Sequence, residues 1–217
     1  MTATERNFKY LGLFIVLALP VYITVYHATG PLSVSRVLTS ESILWLIFFG
    51  LLACAKYGEN DPVKFSGNGM GFFKTMGLAA IVLFSTILIM LLYALVCLVI
   101  FKMHPPKEDL ITQIMKLPNW IKILLVTRAG VIEETFFRAY AMTRIMQLSN
   151  NRFLAFSVPL IAFTLGHVAY GSVYHVLATF FIGLVLAIYY WKTRNLASNI
   201  IAHSVYDCLG MIRIVTI

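Results

Sequence analysis

Residues 131–140, VIEETFFRAY, set two adjacent carboxylates and a guanidinium inside a run that is otherwise apolar, aromatic or small. The chain around them has 217 residues, is 60% hydrophobic and 12% charged, and has a mean hydropathy of +0.85, outside the composition of soluble globular domains. It reads as an integral membrane protein. At mid-bilayer a charged side chain costs about 2.5–3.5 kcal/mol on insertion scales, so Glu133, Glu134 and Arg138 together demand pairing or a wet cavity. Fold and function both turn on how that demand is met.

Working outward, the segment from Asn119 to Leu148 is long enough to cross a bilayer core, which takes about 20 helical residues. Beyond it the spacing predicts helices over Arg152 to Tyr170, Val173 to Trp191 and Leu196 to Ile214. Before it lie apolar runs from Tyr10 to Tyr26, Ser42 to Ala55 and Phe72 to Phe101, the last ending ahead of Pro105 and Pro106. The stretch KYGENDPVKFSGNGMG, residues 56–71, reads as a loop from its Gly, Asn and Asp-Pro content. In KEDLITQIMKLP, residues 107–118, apolar and polar positions divide between two helical faces, predicting a helix lying on the membrane surface. The expected fold is therefore all-α: a polytopic transmembrane bundle of about seven helices with one interfacial amphipathic helix. Residues 1–217 form one integral membrane domain, with the chemistry carried between 119 and 214. No internal repeat is evident.

The net charge of +8 does not point to nucleic acid, because Lys and Arg concentrate in the short segments between apolar runs, where the lipid bilayer is the natural partner. Arg6 and Lys9 precede the first apolar run, as in a signal peptide, but no small-x-small cleavage site follows, so an uncleaved first helix is expected. Cys54, Cys97 and Cys208 sit in apolar stretches without close pairing, which reads as buried thiols rather than a disulfide framework or metal site. Tyr170, Tyr174, Tyr189, Tyr190 and Trp191 read as an aromatic belt at the interface. His27, His104 and His175 lie near helix ends, with His175 the one most easily folded back toward a cavity.

Glu134 and Arg138 are four residues apart and can neutralise one another on one helical face, which leaves Glu133 as the unpaired charge. Two later helices carry ionisable residues at depth. In FTLGH, Phe163 stands one turn before His167 and can restrict its ring. In HSVYD, His203 and Asp207 are again one turn apart, so the carboxylate can orient the imidazole. Taken singly, each group fits a structural ion network or a packed core histidine. Jointly, two chemistries fit. Glu133 can act as general base on a water held by His167, with His203 stabilising an oxyanion. Alternatively, two histidines and a carboxylate can ligate zinc, although no HExxH helix is present. A proton-coupled transporter ranks below both, since inverted repeats and paired broken helices are absent from the sequence.

EETFFR, FTLGH and HSVYD, in that order, resemble the CPBP family of CAAX proteases and bacteriocin-processing enzymes, also called ABI, whose pattern is EExxxR, FxxxH and HxxxN or HxxxD on separate membrane helices. The resemblance spans residues 133–207. It implies an intramembrane glutamate endopeptidase with no cofactor and no metal, acting on a peptide or membrane-protein substrate such as a CAAX-type, leader or signalling peptide, in what would be a bacterial plasma membrane. It implies Glu133 as general base, His167 as the residue that positions water, and His203 with Asp207 as the oxyanion site. Glu134, Arg138 and Phe163 would support them. Asp207 stands where the CAAX proteases carry Asn, and an ionised Asp cannot donate to an oxyanion. The family's diversity keeps a nonenzymatic self-immunity or partner-binding role as the alternative.

Overall fold

The computed structural model describes residues 1–28, 32–65, 69–103, 110–168 and 172–211. Among these, all regular structure is helical. In chain order the elements are α1 (Ala3–Ala28), α2 (Val34–Ala53) continued by a π-helical turn (Cys54–Gly58), α3 (Phe72–Val99), α4 (Leu110–Met115) and α5 (Asn119–Arg128). A long π-helical segment (Ala129–Met142) follows α5 without a break and passes into α6 (Thr143–Ser149). Then come α7 (Arg152–Leu165), α8 (Val173–Thr193) and α9 (Leu196–Met211).

Local chemistry sets the helix ends. Thr2 and Glu5 form a reciprocal capping box on α1. The Thr2 amide donates to Glu5 Oε2 at 2.8 Å and the Glu5 amide donates to Thr2 Oγ1 at 3.1 Å. The Thr2 bond and one from the Asn60 side chain hold the Glu5 carboxyl below its usual range. Asn150, at φ 51°, ends α6, and Asn151 Oδ1 at once caps α7 by accepting from the amides of Phe153 and Leu154. Arg194, at φ 54°, ends α8, and Asn195 Oδ1 accepts from the Ser198 amide at 3.0 Å to start α9. Such short connections force antiparallel neighbours, so α6 pairs with α7 and α8 with α9.

Among the described residues three helical stretches are long and apolar enough to cross a membrane: Val34–Gly58, Phe72–Val99 and Val173–Thr193, with 25, 28 and 21 residues. α7 is apolar but shorter, and the rod from α5 to α6 carries Arg128, Glu133, Glu134, Arg138 and Arg144. The seven-span expectation is thus met by length and composition for three helices. The second span is longer than its apolar run, because Ser33 caps α2 well before Ser42. Of the amphipathic stretch, Leu110–Met115 is helical, and Lys107, Glu108 and Asp109 lie outside the described residues. So do His104, Tyr170 and residues 212–217, along with the side chain of His27.

The π-helical segment occupies the centre of the bundle and packs against α1, α2, α7, α8 and α9. Every residue from Glu134 to Met142 is buried, as expected of a helix covered on all sides. On one flank Phe136, Phe137 and Tyr140 join Leu13, Val16, Phe48, Leu51 and Phe163. On the other, Ala139 and Met142 meet Ala187, Tyr190 and Leu196. Tyr190 and Tyr174 are buried, which corrects the aromatic-belt reading for both: Tyr190 fills a core cluster, and the Tyr174 carbonyl accepts from Tyr93 Oη at 2.7 Å. Cys97 is buried and Cys54 partly buried, whereas Cys208 is exposed, contrary to expectation.

The polar stretch after α2 is not a free loop. Arg144 donates through Nε to Glu59 Oε2 at 2.6 Å and through Nη1 to Asp61 Oδ2 at 2.8 Å, and it also bonds the Asp61 carbonyl. Tyr140 Oη donates to Glu59 Oε1 at 2.5 Å, and Lys9 reaches Gln147 Oε1 at 2.7 Å. Glu59, Arg144 and Lys9 are all buried, so burial and pairing go together as the cost of an unpaired charge requires.

Candidate active site

Glu134 sits at the heart of a buried polar network. One oxygen, Oε1, takes an ion pair from Arg138 Nη1 at 3.0 Å and a hydrogen bond from His203 Nδ1 at 2.9 Å. The other, Oε2, accepts from Asn199 Nδ2 at 3.1 Å. The expected Glu134–Arg138 pair is present, and the carboxylate also orients the histidine of the third motif. Arg138 is fixed further by donating to the Gly183 carbonyl at 3.2 Å and by lying 4.2 Å over the Phe163 ring.

Two glycines permit this approach. A Cβ on Gly183 would meet Phe163 Cδ1 at 2.8 Å, and one on Gly130 would collide with Ser204 Oγ and stand 3.0 Å from the Ile200 carbonyl. The first lets α8 close on Phe163, and the second lets α9 bring His203 to the π-helical segment.

Glu133 is not the unpaired charge expected. It forms an ion pair with Arg128 Nη1, and Arg128 Nε donates to Glu41 Oε1 at 3.1 Å. The physical reason is the helix type. A π-helix bonds i to i+5, so residues five apart come onto one face, a spacing that an α-helical reading does not pair. Arg128 and Glu41 were both missed as site residues. Glu41 comes from α2, 87 residues from its partner, and no local pattern signals it.

His167 lies just past the end of α7 rather than within a helix reaching Tyr170. Its Nδ1 must donate to the Phe163 carbonyl, at 2.8 Å, which makes Nε2 the acceptor nitrogen of the neutral ring. The Phe163 ring packs on His167 with centroids 4.9 Å apart and edge-on to His203 at 6.3 Å, so the phenylalanine of the second motif braces both histidines. His203 Nε2 faces Asp207 Oδ2 at 3.6 Å, beyond hydrogen-bond reach. The charge of Glu133 acts on His167, His203 and Asp207, so the groups from the three motifs share one electrostatic neighbourhood.

Asn199 also escaped the sequence reading, although a signal existed: Asn199, His203 and Asp207 recur every four residues on an otherwise apolar helix. His175, at the start of α8, stacks edge-on against Tyr174 at 5.7 Å. Among the described residues no group of three or more His, Cys, Asp or Glu side chains is arranged to hold a metal ion.

Residues 116–209 match the family described as type II CAAX prenyl endopeptidase Rce1-like. The matched segment holds all three motifs and is similar to this Rce1-like family. Within it fall Glu133, Glu134, Arg138, Phe163, His167, His203 and Asp207, as well as Arg128 and Asn199, while α1, α2 and α3 lie outside. The Rce1-like match agrees with the CPBP resemblance of the three motifs, and a family of CAAX endopeptidases supports peptidase activity. Comparison with curated proteins and with solved structures gives no significant match.

Proposed function

We propose that this chain is an intramembrane, metal-independent glutamate endopeptidase acting on peptide or membrane-associated protein substrates, with a prenylated CAAX-type peptide as the first candidate. The observation that carries the reading is the division between adjacent carboxylates. Glu134 is fully buried and engaged by Arg138, His203 and Asn199, whereas Glu133 keeps part of its side chain accessible.

In this mechanism Glu133 takes a proton from water while the water oxygen attacks the scissile carbonyl carbon. His167 accepts a hydrogen bond from that water through Nε2, because its Nδ1–H is committed to the Phe163 carbonyl. His203 has a carboxylate facing each ring nitrogen, and only the imidazolium can donate toward both. Nε2–H then serves the developing oxyanion, since Asp207 stands too far away to capture it, and Asp207 acts as a countercharge in place of the family's Asn. When the C–N bond breaks, Glu133 returns its proton to the leaving amine.

Glu133→Gln should abolish cleavage of a quenched-fluorescence prenylated CAAX peptide by the purified chain in liposomes while the melting temperature holds. Full turnover in that variant would reject Glu133 as the base. Activity lost on exhaustive chelation and restored by zinc would reject the metal-independent form.

A further inference from the structure

We infer that Glu41, on α2 and outside the Rce1-like segment, is a positioning residue for Glu133 that acts through Arg128; the inference rests on the base assigned to Glu133 above. A guanidinium is a rigid planar fork, so fixing one edge aims the other. Arg128 offers Nε to Glu41 at 3.1 Å and Nη1 to Glu133, and the first bond therefore sets where the second points. Glu41 is buried, and its Oε2 has no hydrogen bond among the described residues, so Arg128 is what orients this carboxylate.

The charge balance gives the arrangement a purpose. Arg128 paired with Glu133 alone would be a neutral couple in which the base is fully engaged. Among the described residues two carboxylates share this guanidinium, so Glu133 is held in place without being neutralised outright. The arrangement also makes α2 part of the site. The π-helical register brings Glu133 onto the face of Arg128, and α2 completes the clamp from a distant part of the chain.

A tie that merely packs α2 against α5 would stabilise the protein without coupling Glu41 to Glu133. The test is a mutant cycle on the full chain in liposomes, reading kcat and KM on the prenylated peptide and the melting temperature in the same preparations. Glu41→Gln should lower kcat about 10- to 100-fold, the scale of a small misplacement of a reacting group, with KM little changed, and Glu41→Asp should recover most of the loss. Glu41→Gln added to Arg128→Gln should cost nothing further. In melting, Glu41→Gln and Glu133→Gln should be non-additive, and the coupling should vanish in the Arg128→Gln background. Unchanged kcat in Glu41→Gln, or strictly additive melting shifts, would overturn the inference. The melting cycle decides it even if the peptide is not cleaved. Full turnover in Glu133→Gln would instead overturn the base assignment.

Discussion

Removing the charge from Glu134 leaves Arg138 buried without its counterion, while removing it from Glu133 leaves Arg128 still bonded to Glu41. Breaking a buried ion pair from one side costs about 3–5 kcal/mol. Glu134→Gln should therefore lose stability on that scale in thermal or denaturant unfolding in detergent, and Glu133→Gln should lose far less; equal losses would contradict the division of labour between them. At this scale the sequence was readable where partners sit four apart. Glu134 with Arg138 and Phe163 with His167 follow from α-helical spacing alone. His203 with Asp207 followed only in part, since the closer partner of His203 is Glu134 across a helix interface. Arg128 with Glu133 needed knowledge of the π register, and Glu41 needed the tertiary fold.

Helix–helix approach depends on two glycines flanking the site. Gly183→Ala drives a methyl into Phe163, the ring that braces His167, His203 and Arg138, and Gly130→Ala drives one into Ser204 and the Ile200 carbonyl. Overpacking of this kind costs about 1–3 kcal/mol. Each variant should melt at a lower temperature and turn over more slowly. Ser204→Gly should relieve Gly130→Ala only partly, because the Ile200 carbonyl remains 3.0 Å away; complete rescue would show that the backbone is not the obstacle. The helix boundaries at Asn150–Asn151 and Arg194–Asn195 follow from turn chemistry that a sequence displays. The π-helical segment does not, because nothing in its local sequence distinguishes bonding five residues back from bonding four back.

Across the whole molecule, the clasp around Arg144 ties α1 and the segment after α2 to the central rod, joining the parts of the chain within and outside the Rce1-like match. Arg144→Met strands Glu59 in the interior and should cost about 3–5 kcal/mol by unfolding in detergent, with Glu59→Gln in the same chain recovering much of it. Absence of any rescue would mean that the loss comes from Asp61 and the backbone instead. The fold class was readable from composition, and the candidate spans Phe72–Val99 and Val173–Thr193 from run length, whereas Val34–Gly58 extends well before its apolar run. The clasp was not, because Gly, Asn and Asp-Pro look alike in a free loop and in one nailed down by charge.

One consequence follows from the polar stripe of α9. Asn199 is sealed, the His203 side chain is 5% exposed and that of Asp207 is 29% exposed. Exposure thus rises along α9 toward Asp207, so on the proposed peptidase reading that end of the stripe is the site's mouth, and an extended peptide would thread past Asp207 before its carbonyl met Glu133. Side chains near that mouth, rather than those at the sealed end, would then act as the sieve that selects which peptides enter.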